Sequence, residues 1–163
     1  MPRTHAGFSL IEVLVALLIV SFGMIGVATA LLVVHRSTAS SYLQQQSVQL
    51  AANIVTQIRT NPSAAMAGDY DLTYTGTPPS TPAQLCDPSG AACTADQEAA
   101  YDLWQWVNDL STSLPAAQAS VAVAQTGSGG YEVTVTVSYD NTPAANTLKA
   151  TAVRRAVQLE TLL

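Results

Sequence analysis

The feature that most constrains this chain is an apolar run of 27 residues, 8–34, that contains a single charged residue, Glu12. A run of this length can cross a bilayer as a helix. A carboxylate inside such a helix costs about 2.5–3.5 kcal/mol on insertion scales, so we expect Glu12 to have a function and a partner. The leader before the run carries Arg3 and His5, and the next acidic residue after Glu12 is Asp69.

Three interpretations of this N-terminus compete. The first is a secretory signal cut at the small residues 28–30, and the second is an uncut signal anchor. The third is a segment cut before the apolar run. A secretory signal has an apolar region of about 7–15 residues and no use for a carboxylate within it, so the length of the run and Glu12 favour the third interpretation. The signal anchor remains the main alternative.

The order of residues around Glu12 resembles the type IV prepilin signature. Residues 7–14 read Gly-Phe-Ser-Leu-Ile-Glu-Val-Leu, with glycine before the cut, phenylalanine after it and glutamate at the fifth position of the new chain. The resemblance implies that a prepilin peptidase cleaves between Gly7 and Phe8 and methylates the Phe8 amine. It also implies a leader over residues 1–7, a membrane or filament-core helix over 8–34 and a periplasmic headgroup over 35–163.

A charge pair explains why such a chain would keep Glu12. Cleavage creates an α-amino group on Phe8, which is positively charged near neutral pH because its reference pKa is about 7.7–8.0. An unpaired ammonium and an unpaired carboxylate are both unfavourable in a lipid-like environment. We therefore expect Glu12 of one subunit to pair with the Phe8 amine of its neighbour, which would set the register of assembly.

The remainder of the sequence predicts an α+β fold: a long N-terminal helix packed on a small antiparallel sheet, as in type IV pilins. The N-terminal helix is expected to end before Asn61-Pro62, because the residue before proline avoids helical geometry. Its second half carries an apolar stripe, which we interpret as core: Leu43, Ser47, Val48, Leu50, Ala51, Ile54, Val55 and Ile58. The opposite face holds Asn53, Gln57 and two further glutamines.

A second helix is predicted after Thr94, because Gln97 completes a capping box three residues later. Its apolar stripe is Leu103, Val107, Leu110 and Leu114, and a proline follows. Trp104 and Trp106 cannot share one face of a helix, so one is expected in the core and the other exposed. Residues 63–82 are rich in proline and glycine and are predicted to form a connection, with a short strand over 70–74. Strands are predicted over 120–125, 131–139 and about 148–161.

Composition narrows the functional classes. The net charge is −5 and no basic stripe occurs, which disfavours nucleic-acid binding. Cys86 and Cys93 are expected to form a disulfide if the domain is exported, with buried free thiols as the alternative. Asp69 and Asp71 are too few ligands for calcium and are interpreted as turn residues, and no metal or cofactor is predicted. No catalytic motif is present, so an enzyme is not expected.

The opening of the apolar run, residues 9–19, is most similar to minor pilins of the PilV type. The resemblance implies low-copy priming or joining of a type IV pilus, in support of adhesion or twitching motility. Expected partners are other minor and major pilins, the prepilin peptidase, the inner-membrane assembly machinery and, before assembly, membrane lipid. The expected location is the bacterial inner membrane, as a single-pass protein with a periplasmic headgroup, and then the pilus fibre. Minor pseudopilins of type II secretion share this opening and remain an alternative, as does a tethered periplasmic binding domain that never polymerises.

Overall fold

The computed structural model describes residues 9–86, 92–127, 129–141 and 153–163. By its internal contacts the chain divides into two compact units, Met1–Ala39 and Ser40–Leu163, called here the N-terminal unit and the C-terminal unit. The first helix, α1 (Leu10–Thr60), contributes to both. Each unit is described separately below.

In the N-terminal unit, the described residues from Leu10 onward are helical, and every side chain described there is exposed. This part of α1 lies within the one helix, among the described residues, that is long and apolar enough to cross a membrane. Its hydroxyl groups bond to their own helix: Ser21 donates to the Leu17 carbonyl at 2.7 Å and Thr29 to the Gly26 carbonyl at 2.8 Å. These two hydroxyl groups are therefore satisfied within the helix, and all other side chains over residues 13–34 are apolar or absent.

The C-terminal unit contains the rest of α1, two more helices and four strands. The elements follow in the order α2 (Pro62–Ala67), β1 (Leu72–Tyr74), α3 (Ala95–Ser113), β2 (Gln118–Gln125), β3 (Tyr131–Asp140) and β4 (Arg154–Leu162). The strands form one antiparallel sheet in the order β1-β2-β3-β4. The predicted α+β class, with a long N-terminal helix packed on a small antiparallel sheet, is confirmed.

The core lies between the second half of α1, α3 and one face of the sheet. The α1 stripe is buried as predicted at Ser47, Leu50, Ala51, Ile54, Val55 and Ile58, and Leu43 packs against it. The prediction was wrong for Val48, which is 40% exposed. Val48 follows Ser47 and is therefore rotated from it by about 100° around the helix, which takes it to the margin of the stripe.

The strand β3 supplies the sheet side of the core. Its alternating residues Val133, Val135, Val137 and Tyr139 are fully buried, which confirms the period of two read from the sequence. Val121 on β2 and Leu159 on β4 lie opposite Val135, so the apolar row continues across three strands. The predicted third strand is observed as β4 from Arg154, and residues 148–152 lie outside the described residues.

Helix α3 begins and packs as the sequence indicates. The Thr94 backbone N–H donates to Gln97 Oε1 at 3.1 Å, as the capping box requires. Leu103, Val107, Leu110 and Leu114 are all buried. Trp106 is the core tryptophan, 3% exposed, and its indole N–H donates to the Leu50 carbonyl at 2.8 Å, which ties α3 to α1. Trp104 is half-buried, with its ring centroid 6.0 Å from that of Tyr101.

The segment after α1 differs from the prediction. Residues 62–67 form α2 instead of irregular connection. Pro62 occupies the first turn of this helix, where a missing N–H is harmless and the fixed φ is favourable. Gly68 ends it with φ 85°, a left-handed conformation that favours glycine. The predicted strand over 70–74 begins only at Leu72, because Tyr70 is drawn into the core instead.

Candidate functional site

The site predicted from the sequence lies at the start of α1. The Ser9 carbonyl accepts the N–H groups of Glu12 at 3.0 Å and Val13 at 3.3 Å, and the helix begins at Leu10. Glu12 therefore stands in the first turn, where the partial positive charge of the helix N-terminus favours a carboxylate. The helix thus places this carboxylate at its N-terminal end, where the interaction with the helix dipole is favourable.

The Glu12 side chain is exposed. Among the described residues no hydrogen bond or ion pair reaches its carboxylate. Its predicted partner, the Phe8 amine, and the predicted cleavage position at Gly7 both lie outside the described residues. The described residues therefore leave Glu12 available for a positive group, and the pairing stays a prediction.

The surface that follows Glu12 is apolar on all sides. Large side chains are exposed along the whole segment, from 89% at Leu10 to 74% at Phe22 and 59% at Val34. A helix that is hydrophobic all round is stable only when lipid or protein covers it. A side chain at Gly23 or Gly26 would meet no atom within 4 Å, so the chain's own fold does not require glycine there.

A disulfide joins Cys86 to Cys93, as the sequence predicts, with a Cα–Cα distance of 5.9 Å. Cys93 directly precedes Thr94, the residue that caps α3. The bond therefore fastens the segment that follows β1 to the beginning of α3. A disulfide of this kind is typical of proteins in oxidising compartments.

A partly buried hydrogen bond in the C-terminal unit could not be predicted from the sequence. The Tyr70 hydroxyl donates to Asp102 Oδ2 at 2.7 Å, joining residues 32 positions apart. Burial raises the pKa of Tyr70, and the bond to Asp102 raises it further. Burial also raises the pKa of Asp102, although the Tyr70 hydrogen bond opposes this rise and the nearby Glu98 adds to it.

Of the acidic pair Asp69 and Asp71, the second residue contacts the sheet. Asp71 Oδ1 accepts the N–H of Val123 at 2.9 Å and so satisfies a backbone group of β2. Over the described part of the chain, no group of three or more His, Cys, Asp or Glu residues could hold a metal ion.

Comparison with known protein families identifies the N-terminal segment. Residues 2–28 match the family described as "Prokaryotic N-terminal methylation motif". This prepilin-type motif supports a structural protein of the type IV pilin and pseudopilin superfamily. It implies processing by a prepilin peptidase, membrane anchoring and assembly with other pilins. Neither the curated proteins nor the solved structures contain a match to the chain.

Proposed function

We propose that the protein is a minor pilin of the PilV type, which takes part in the assembly or priming of a type IV pilus and supports adhesion or twitching motility. The observation that carries this proposal is the carboxylate of Glu12, with which no described residue forms a hydrogen bond or an ion pair, at the start of an exposed apolar helix. The C-terminal unit buries its own core and does not need that helix for it. An apolar helix with one charge is thus left for intermolecular contact.

The proposed assembly step uses the N-terminus that proteolysis creates. Cleavage between Gly7 and Phe8 gives Phe8 a positively charged amine, which methylation preserves as a cation. Docking this amine against Glu12 of a neighbouring subunit neutralises both groups in an apolar environment. Before assembly, residues 8–34 would cross the inner membrane, with residues 35–163 in the periplasm. The Cys86–Cys93 disulfide fits that compartment.

The N-terminal residue of the mature chain tests the proposal. Mass spectrometry of the membrane-extracted protein is expected to find a chain that begins at N-methylated Phe8. A matched variant, Gly7→Leu, should keep its leader because it removes the glycine that the prepilin signature has before the cut. A wild-type chain that begins at Met1 or after Ala30 would contradict the proposal.

A minor pseudopilin of a type II secretion system is the second candidate, because the same methylation motif occurs in both classes. Co-purification distinguishes them: the processed chain should be recovered with sheared pili in the first case and with a secretion apparatus in the second. A tethered binding domain that does not polymerise would instead keep residues 1–7 and tolerate Glu12→Ala.

A further inference from the structure

We propose that the edge strand β4 pairs with β4 of a second copy of this chain, so that two four-stranded sheets join into one. In the described part of the chain, β4 is the last strand of the sheet and pairs with β3 alone. It is nine residues long, and an edge of this kind presents a row of backbone groups to which another strand can add. The pairing does not depend on the pilin function.

The hydrogen bonds of β4 show which of its backbone groups face outward. The Asn141 N–H donates to the Val153 carbonyl at 2.8 Å, and the Leu163 N–H donates to the Tyr131 carbonyl at 2.8 Å. Hydrogen-bonded and non-hydrogen-bonded residues alternate along an antiparallel strand, so the odd-numbered residues of β4 bond to β3. The even-numbered residues, from 154 to 162, therefore direct their N–H and C=O groups away from β3. No described backbone group bonds to them.

The charges of β4 identify the partner as a second copy of the same strand. Arg154 begins the strand and Glu160 lies near its end, and both are exposed on the face away from the core. When two copies run antiparallel with Val157 at the centre, Arg154 of each lies opposite Glu160 of the other. Opposite charges across two strands are stabilising and like charges are destabilising, which excludes a parallel, in-register pairing. The other edge strand, β1, is three residues long and has no charge to offer.

Arg154 and Glu160 can both make this contact. In the single chain, Arg154 Nη2 donates to the Ala116 carbonyl at 3.1 Å and to Ser138 Oγ at 3.1 Å. These bonds are exposed and go to neutral acceptors, so their exchange for a carboxylate is favourable because charge-assisted bonds are stronger. Glu160 Oε1 accepts a hydrogen bond from Gln158 at 2.7 Å, and its other oxygen accepts none from a described residue.

The core-facing side of β4 supplies apolar contact in the same register. Val135 and Val137 on β3 are fully buried, whereas their neighbours on β4, Leu159 and Val157, are only half-buried. The core is therefore incompletely covered at this edge. In the proposed register Val157 lies opposite Val157 of the second copy, in a non-hydrogen-bonded pair whose side chains approach closely. The apolar row that crosses one sheet then continues into the other.

The symmetry of the pairing determines which copies can meet. Two antiparallel copies of one strand are related by a two-fold axis perpendicular to the sheet, and the resulting interface is isologous. This axis reverses the direction of the part of α1 that packs on the sheet. Subunits of one filament all point the same way, so they cannot pair in this manner. If the protein is the pilin proposed above, the pairing joins copies on two filaments that run in opposite directions.

Disulfide cross-linking of the detergent-solubilised full chain tests the register. Under mild oxidation Val157→Cys is expected to link two copies, because residue 157 lies opposite itself. Arg155→Cys is the matched control: residue 155 lies opposite 159, so the two introduced thiols are four residues apart, about 13 Å along the strand. A disulfide requires Cα atoms within about 7 Å of each other. Equal linking of the two variants, or no linking of Val157→Cys, would overturn the proposal.

Charge reversal tests the ion pairs. Sedimentation equilibrium of the full chain in density-matched detergent is expected to show a concentration-dependent dimer. Glu160→Lys should weaken this dimer about tenfold, because two attractive pairs become repulsive. The double variant Arg154→Glu/Glu160→Lys restores opposite charges and should restore the affinity. Glu132→Lys makes the same charge change one strand away, on β3, and should alter the affinity by less than about twofold.

A wild-type chain that stays monomeric at every concentration, or unchanged affinity in Glu160→Lys, would refute the pairing. So would a double variant that folds but dimerises as weakly as Glu160→Lys. Folding is checked by the fluorescence of the buried Trp106, since Arg154 also bonds to Ser138 of its own chain. If the double variant does not fold, Glu160→Lys and the cross-link decide. These measurements need no filament, so they can fail while the pilin proposal stands, and the reverse also holds.

Discussion

The two units of the chain differ in where their apolar side chains lie. In the N-terminal unit the described apolar side chains are exposed and form no core, whereas the C-terminal unit encloses Ile54, Leu110, Val135 and their neighbours completely. Burial of apolar area drives folding, so the C-terminal unit carries its own stabilising free energy. The N-terminal unit must obtain that free energy from lipid or from other protein chains. One sequence thus encodes both a unit that folds around its own core and an apolar helix that must be covered by lipid or by other protein chains.

The largest expected difference between the units concerns core truncation. Leu110→Ala should lower the free energy of unfolding of the C-terminal unit by about 2–5 kcal/mol, because Leu110 is fully buried. The matched variant Leu18→Ala, at a position 51% exposed, should change it by less than about 0.5 kcal/mol. Urea unfolding of the detergent-solubilised chain, followed by tryptophan fluorescence, measures both. Equal effects would contradict the division into units.

A second, smaller effect is expected from Glu12→Gln. This variant should be cleaved normally and should leave the unfolding of the C-terminal unit unchanged, because Glu12 belongs to the N-terminal unit. Its incorporation into filaments should fall about tenfold, which corresponds to about 1.4 kcal/mol for the lost charge pair. The measurement is the ratio of protein in sheared filaments to protein in membranes. Incorporation of Glu12→Gln at the wild-type level would contradict the charge pair. Ser9→Ala, a neighbouring substitution that removes no charge, serves as the control.

The smallest effect is expected at Asp102, whose pKa is raised in the folded protein by burial. A raised carboxyl pKa means that the folded state favours the protonated form, so the contribution of Asp102 to stability is lost as pH rises from about 4 through the folded pKa. Asp102→Asn keeps an acceptor for Tyr70 without the charge. It should therefore gain less than about 1 kcal/mol over the wild type at pH 7, since the half-buried site is screened by solvent.

Unfolding curves of Asp102→Asn at several pH values provide the measurement, and the gain should vanish below about pH 4. Asp69→Asn, which removes an exposed charge next to Tyr70 in the sequence, is the control. A variant that is less stable than the wild type at neutral pH, with a deficit that grows as pH rises, would show that the bond to a charged Asp102 outweighs its burial.

Periodicity accounts for the parts of the fold that the sequence predicts well. The stripes of α1 and α3 and the alternation of β3 each depend on residues close together in the chain, so their patterns are visible without tertiary information. The disulfide was predictable because only two cysteines are present. At Pro62 the sequence is ambiguous, because proline both stops one helix and suits the first turn of the next.

Contacts between distant segments could not be foreseen. Tyr70 was assigned to a strand, but its hydroxyl finds Asp102 on α3 and the residue leaves the sheet. Gln57 lies on the face of α1 opposite the predicted apolar stripe, yet its side-chain oxygen is buried. The N-terminal site, in contrast, was predicted from the order of residues around Glu12 alone.

The hydroxyl groups of the N-terminal unit have a mechanical consequence for a filament. Ser21, Thr29 and Thr38 each donate their hydroxyl hydrogen to a carbonyl of their own helix. They therefore have no donor left to fix the axial position of an adjacent helix. In the proposed filament, an axial shift of one subunit along another would replace apolar contacts with equivalent apolar contacts. Within residues 8–34, only the carboxylate of Glu12 would respond to this displacement, so one charged group per subunit would determine the axial rise of the fibre.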